Sequence, residues 1–227
     1  METPQAQYKA VVFDLDGVIF KHRNFWERMH KVYGTRKIGV ELTKKYLKTD
    51  FSKLVSEVVE KLWKGKDAKL FQMLVESAKY NPGAKEMARE LKKEGYTLAI
   101  ISSAPRELGL KARLELGIRY NYTNTLEVKQ GKITGKFYAV HDFHGKDKTV
   151  FAFCREVGIN PKEVIAVGDS ENDIPMFRIC GKAIGFNLLP SEKERIGRFC
   201  DVVIPGNDLR EVLNMIRELN KITKKEK

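Results

Sequence analysis

The pattern of apolar and polar positions divides the chain into segments of two kinds. Tyr8 to Phe13 (YKAVVF) is a short, mostly β-branched apolar run ending in Asp-Leu-Asp-Gly, which predicts a buried strand meeting a loop. Residues 22–79 contain no strand-like run. There Leu54, Val55, Val58, Val59 and Leu62 recur at three- and four-residue spacing, which predicts amphipathic helices. Asn81-Pro82-Gly83 interrupts the pattern and predicts a helix that starts at Pro82, capped by Asn81 or a neighbour. After it the elements alternate: helix 83–94, strand 97–101, helix 105–116, then strands with a turn at Gln130-Gly131. Helix 147–157, strand 164–167, helix 172–180, strands 182–186 and 201–204, and helix 208–219 follow. This alternation predicts βαβ units, an α/β fold with a doubly wound parallel sheet and helices on both faces. Residues 1–20 and 81–227 are read as the α/β core, and residues 21–80 as a small α-helical insertion after the first strand. The tail 221–227 (KITKKEK) is expected to be frayed.

Composition narrows the class. Of 227 residues, 42% are hydrophobic and 32% charged, which excludes a wholly disordered chain and an integral membrane protein. No window approaches the ~18 apolar residues of a membrane span, and METPQAQYKA has no basic stretch followed by an apolar run. Cys154, Cys180 and Cys200 lack CxxC spacing, so they are read as reduced thiols of a cytoplasmic protein rather than a zinc site or disulfide framework. The net charge of +12 is concentrated: residues 21–80 hold 15 Lys and Arg against 7 Asp and Glu, while the rest hold 27 against 23. Such a segment is either a set of solvated helix faces or a positive field near an anionic substrate. Nucleic acid is disfavoured, because no RNP-like aromatic pattern, Gly-rich RNA clamp or zinc-finger spacing accompanies the lysines.

In open parallel sheets ligands sit beyond the carboxyl ends of the strands. Four polar groups fall there. Asp14 and Asp16 leave the first strand on one side, and two anions so close destabilise folding unless a cation or shared proton relieves them. Ser102 and Ser103 follow an apolar strand and precede a helix, as an N-cap or as a phosphate site. Lys146 opens a helix in Gly-Lys-Asp-Lys, with Lys148 as its neighbour. Asp169 and Asp173 bracket a tight turn in Gly-Asp-Ser-Glu-Asn-Asp after a further strand. Together the carboxylates form an all-oxygen set that suits Mg²⁺ rather than Zn²⁺.

This order of motifs resembles the haloacid dehalogenase superfamily: DxDG after the first strand, Ser after the second, Lys at a helix start, GDxxND after another strand. Residues 81–102 (NPGAKEMARELKKEGYTLAIIS), 126–135 (LEVKQGKITG) and 158–177 (GINPKEVIAVGDSENDIPMF) are similar to segments of its phosphoserine phosphatase branch. The resemblance implies a Rossmann-like core with a helical cap at residues 21–80. The 43 residues between Ser102 and Lys146 leave no room for a large second cap. It further implies a phosphatase acting on a small phosphorylated metabolite. Asp14 would be the nucleophile that forms an aspartyl-phosphate, and Asp16 the general acid and base. Ser102, Ser103 and Lys146 would hold phosphoryl oxygens. Mg²⁺ would be bound by Asp14, the main-chain carbonyl of Asp16, Asp169 and Asp173.

The match departs at three places. Arg23 stands where the phosphoserine enzymes have a Glu for the substrate amine, and an ungapped comparison around Phe51 puts Val58 where they have an Arg. Ser102 is followed by Ser103 and Ala104 instead of two glycines. Phosphoserine is therefore disfavoured as the substrate, Arg23 and Phe51 are candidate specificity residues, and Arg23 with Lys21 and His22 points to an anionic leaving group. Two other readings stay open: phosphomutation or another phosphotransfer on the same fold, and a binding protein that engages nucleic acid or protein through the basic cap. His141 and His144 are read as loop residues. Phe25, Trp26 and Met29 are read as cap core.

Overall fold

The computed structural model describes residues 8–225, so the reading of the first seven residues and of residues 226 and 227 lies outside the described residues. The strands are β1 (Ala10–Phe13), β2 (Thr97–Pro105), β3 (Tyr120–Lys129), β4 (Lys132–Tyr138), β5 (Val164–Gly168), β6 (Lys182–Phe186) and β7 (Val202–Ile204). They form one sheet in the order β4-β3-β2-β1-β5-β6-β7, with β4 antiparallel to β3 and every other pairing parallel. Both faces are covered. Val11 and Phe13 of β1 join one apolar cluster, Ala10 and Val12 the other, which is why the strand reads as an unbroken apolar run. The first cluster is closed by α5 (Ala84–Lys93), α6 (Arg106–Leu116) and α10 (Leu209–Lys225), the second by α7 (Lys146–Val157) and α8 (Ile174–Ile179).

Register brings the motifs together. Phe13 pairs with Ile100 on one side and Val167 on the other, so Asp14, Ser102 and Asp169 leave the same edge within two residues of that line. The helical insertion comprises α1 (Phe25–Val32), α2 (Arg36–Tyr46), α3 (Phe51–Val55) and α4 (Lys69–Glu76), with a π-helical segment, Ser56–Trp63, continuing α3. The wider π turn puts Val58, Val59 and Trp63 on the buried face, whereas the predicted stripe member Leu62 is only half-buried. Phe25 and Met29 are fully buried as cap core, and Trp26 meets Phe137 of β4 edge-on at 5.5 Å. The β3–β4 hairpin thus supports the insertion from the core side.

Several boundaries differ from the predictions. α5 starts at Ala84, not Pro82, because Gly83 takes a left-handed φ of 75° at the N-cap. Asn81 does not cap that helix. Its Nδ2 donates to the carbonyls of Val18 (2.7 Å) and Gly17 (3.1 Å), tying down the loop that follows β1. β2 continues through Pro105, which itself precedes α6, so Ser102 and Ser103 lie in the strand and not at a helix N-cap. A short helix, α9 (Lys193–Gly197), escaped the periodicity reading because five residues cannot display a period. The tail expected to fray is helical as far as Lys225. Cys154 and Cys180 are buried and all three cysteines are free; burial pushes the Cys154 thiol up to about 11, which leaves it inert. Among the described residues no helix is long and apolar enough to cross a membrane.

Candidate active site

Asp14, Asp169 and Asp173 are buried, and each offers a carboxylate oxygen within 4.8 Å of the others. Lys146 lies beneath them, fully buried, with Nζ 2.9 Å from Asp14 Oδ2 and 2.6 Å from Asp173 Oδ1. Lys148, two residues on, is exposed, so the geometry selects Lys146 as the lysine of the cluster. Asp173 is saturated: its Oδ2 accepts from the amides of Asp169 (2.9 Å) and Ser170 (3.0 Å) while Oδ1 faces Lys146. Burial first, then the negative charges of Asp173 and Asp14, hold the Asp169 carboxyl well above the usual carboxylate range. Burial likewise pushes Asp173 up to about 6 against the pull of Lys146.

This donor set fits a hard divalent cation. Three clustered carboxylates are held by Lys146, on Asp14 and Asp173, and by the partly exposed Arg23, on Asp169, and Asp14 and Asp169 face the cavity, where a cation would relieve them. Because a proton and a cation compete for the same oxygens, affinity of the cluster for a divalent cation is expected to weaken on acidification, by about tenfold per pH unit for one competing proton. Calorimetric titrations between about pH 8 and about pH 5 check this. A flat profile contradicts it.

Gly17 closes the catalytic loop with a φ of 77°, and a Cβ there would lie 1.9 Å from Asp169 Oδ2. Gly17→Ala is therefore expected to displace Asp169 and weaken Mg²⁺ binding at least about tenfold, with a stability loss of about 1–3 kcal/mol from the left-handed backbone. Thermal melts with and without Mg²⁺ read both effects.

The carboxylate of Asp16 stands apart from the three. Its Oδ2 accepts from Phe25 N at 2.7 Å, at the first turn of α1. His22 Nε2 is 2.9 Å from Oδ1, yet the two are misaligned and neither makes a hydrogen bond. The short distance does not make a hydrogen bond without alignment, so Oδ1 keeps an unused lone pair. Ser102 is buried with Oγ accepting from Ala104 N at 3.1 Å, and both Ser102 and Ser103 reach the cavity. Ser103 is also a joint. Its carbonyl accepts from Trp26 Nε1 (2.8 Å) and Asn124 Nδ2 (2.9 Å), and its Oγ is 3.3 Å from Nε2 of the buried His141. His144 is exposed.

Arg23 does not present a free charge to the cavity. One guanidinium nitrogen lies 3.1 Å from Asp169 Oδ2 and another donates to the Asn187 carbonyl at 2.5 Å. Arg23 nevertheless lines the cavity, with its guanidinium about one-third exposed. A cavity of about 530 Å³ runs from Asp14, Asp16 and Ser102 into the cap, where Phe51, Leu54 and Val58 line it. Asn81, Trp26, Asn124 and Asn187 were not legible as site residues, since their partners lie 21 to 164 positions away.

The geometry agrees with comparisons to known proteins. A model of haloacid dehalogenase-like hydrolases matches residues 8–181. The phosphoserine phosphatase of Methanocaldococcus jannaschii is 29% identical over 212 residues, covering 92% of this chain and 98% of that one. That of Archaeoglobus fulgidus is 30% identical over 182 residues, covering 79% of this chain; the match spans only 52% of that longer relative. A solved phospho-aspartyl intermediate analogue of phosphoserine phosphatase is similar with a TM-score of 0.78 at 29% identity, covering 92% and 98% of the two chains.

Proposed function

Because the chain belongs to the haloacid dehalogenase-like hydrolase family, we propose that it is a Mg²⁺-dependent phosphatase acting on a small phosphate monoester through an aspartyl-phosphate at Asp14. The observation that carries this reading is the buried cluster of Asp14, Asp169 and Asp173 over Lys146, at the head of a cavity roofed by the cap. The likeness to a phospho-aspartyl structure of a phosphoserine phosphatase supports it.

Asp14, Asp169 and the main-chain carbonyl of Asp16 would hold Mg²⁺, with Asp173 anchoring the group from behind. When bound, the ion offsets the repulsion between a carboxylate and a dianionic phosphate. Asp14 is fixed for attack: Leu15 N donates to its Oδ1 at 2.7 Å and Lys146 bears on Oδ2. Its carboxylate oxygen forms a bond to phosphorus as the ester P–O bond breaks. Asp16, as general acid, gives a proton to the leaving alkoxide. The resulting carboxylate then takes a proton from water, whose oxygen attacks phosphorus, releasing phosphate and regenerating Asp14. Phe25 N holds Asp16 in place, so the first turn of the cap and the proton carrier are coupled. Ser102 stands at the wall where a phosphoryl oxygen would lie.

A screen of phosphate esters with and without Mg²⁺, reading released phosphate, tests the proposal. Net release that depends on Mg²⁺ and vanishes in Asp14→Asn supports it. Isomerisation of a sugar phosphate without net release, dependent on a sugar bisphosphate, points to phosphomutation instead.

A further inference from the structure

We infer that the cap cavity selects phosphate esters with a bulky apolar leaving group, such as an aryl ester, over zwitterionic or anionic ones. This deepens the phosphatase reading and rests on it for the identity of the reacting end.

Beyond Asp14 and Ser102, an apolar stretch of the cavity wall is built by Trp26, Phe51, Leu54, Val55, Val58 and Val59. α1 and the continuous helix 51–63 supply all six. At about 530 Å³ the space exceeds what an alkyl phosphate of two or three carbons fills. A small polar group would leave an apolar wall wet, whereas a ring system would displace that water.

Most charged groups around the cavity are engaged. Arg23 is held by Asp169 and Asn187. At the mouth, Arg36 pairs with Glu27 at 3.2 Å and Lys48 with Glu171 at 2.6 Å. His30 is buried, which lowers its pKa, and its Nδ1 lies 2.8 Å from Thr35 Oγ1. Lys44 also lines the cavity and is exposed to solvent, so its ammonium keeps its hydration. An ammonium or carboxylate carried into the belt would lose its hydration and find no opposite charge there. The aromatic part is also braced for stacking: Trp26 is stacked on Trp63 at 6.0 Å and its indole nitrogen is fixed on Ser103.

The test pairs binding with turnover in the full-length protein with Mg²⁺. Calorimetry compares naphthylmethylphosphonate, which is not hydrolysed, with the phosphonate analogue of phosphoserine. Phosphate release compares naphthyl phosphate, acetyl phosphate and phosphoserine. We expect the naphthyl ligand to bind at least about tenfold tighter, and kcat/KM to favour naphthyl phosphate over phosphoserine by a similar factor. Phe51→Ala is expected to lower the ratio of kcat/KM for naphthyl over acetyl phosphate about fivefold. Equal or tighter binding of the phosphoserine analogue overturns the inference, as does an unchanged ratio in Phe51→Ala. If naphthylmethylphosphonate binds as expected but no ester releases phosphate, the cavity preference stands and the phosphatase reading falls.

Discussion

Replacing Asp14 with Asn is expected to remove phosphate release by about four orders of magnitude or more, because no other group near the cavity head can take its place as nucleophile. Asp16 lies on a different hydrogen-bond system, through Phe25 N, and Asp169 is held by Arg23. The fold should survive the change. Lys146 keeps Asp173 as a partner at 2.6 Å, and an amide oxygen at position 14 can still accept from Leu15 N. Asp16→Asn makes an instructive contrast: losing only proton transfer, it is expected to cost about 10²–10⁴-fold. Single-turnover kinetics separate the two, since Asp14→Asn should form no phosphorylated protein and Asp16→Asn should form it slowly. Equal residual rates in the two variants contradict the roles assigned.

The second large effect concerns Lys146. It is fully buried, yet the negative charges of Asp14 and Asp173 outweigh the burial that disfavours its ammonium, and its pKa is raised. A cation with a raised folded-state pKa contributes its full stabilisation below the unfolded value of about 10.4 and loses it only as pH rises through the folded value. At neutral pH the contribution is complete. Lys146→Met leaves two buried carboxylates facing each other without a cation, a loss of about 3–5 kcal/mol. The sign with pH is also set. Without the lysine, the Asp173 carboxyl, already pushed up to about 6, rises further, so its charged form is penalised in the folded state. That penalty is largest above the new pKa and fades as acid neutralises the group. Lys146→Met is therefore expected to be more destabilised near pH 8 than near pH 5.5, and Mg²⁺ should restore part of the loss. Urea melts at both pH values, with and without Mg²⁺, read all three effects. A uniform loss at every pH contradicts the electrostatic account.

The core elements were legible because their patterns are local. YKAVVF, TLAII and VIAV are apolar runs followed by Asp14, by Ser102 and by Gly168-Asp169, and the sheet aligns those ends because parallel register carries Phe13 beside Ile100 and Val167. Asp14, Ser102, Lys146 and Asp169 stood out for the same reason: each follows or opens an element. What the pattern could not convey was which partner each charge would choose. Arg23 stands out by its place after the loop that follows β1, but its pairing with Asp169, 146 residues away, is a tertiary contact that no local pattern conveys. Asn81 looked like a helix cap because Asn before Pro-Gly has that chemistry, and tertiary contact turned its amide toward the Gly17 loop instead. The apolar character of the cavity was hidden for a different reason. Helical spacing marks Trp26 and Val58 as inward-facing, but spacing does not distinguish a packed interior from an open cavity wall.

Asp14→Asn and Asp16→Asn bear on one claim, that Asp14 carries the phosphoryl group between ester and water. The most direct measurement is mass spectrometry of the peptide containing Asp14 after acid quenching during turnover of naphthyl phosphate with Mg²⁺. The account predicts a phosphorylated peptide with the group on Asp14, absent in Asp14→Asn. Continuing phosphate release with the phosphoryl group trapped on another residue would contradict it.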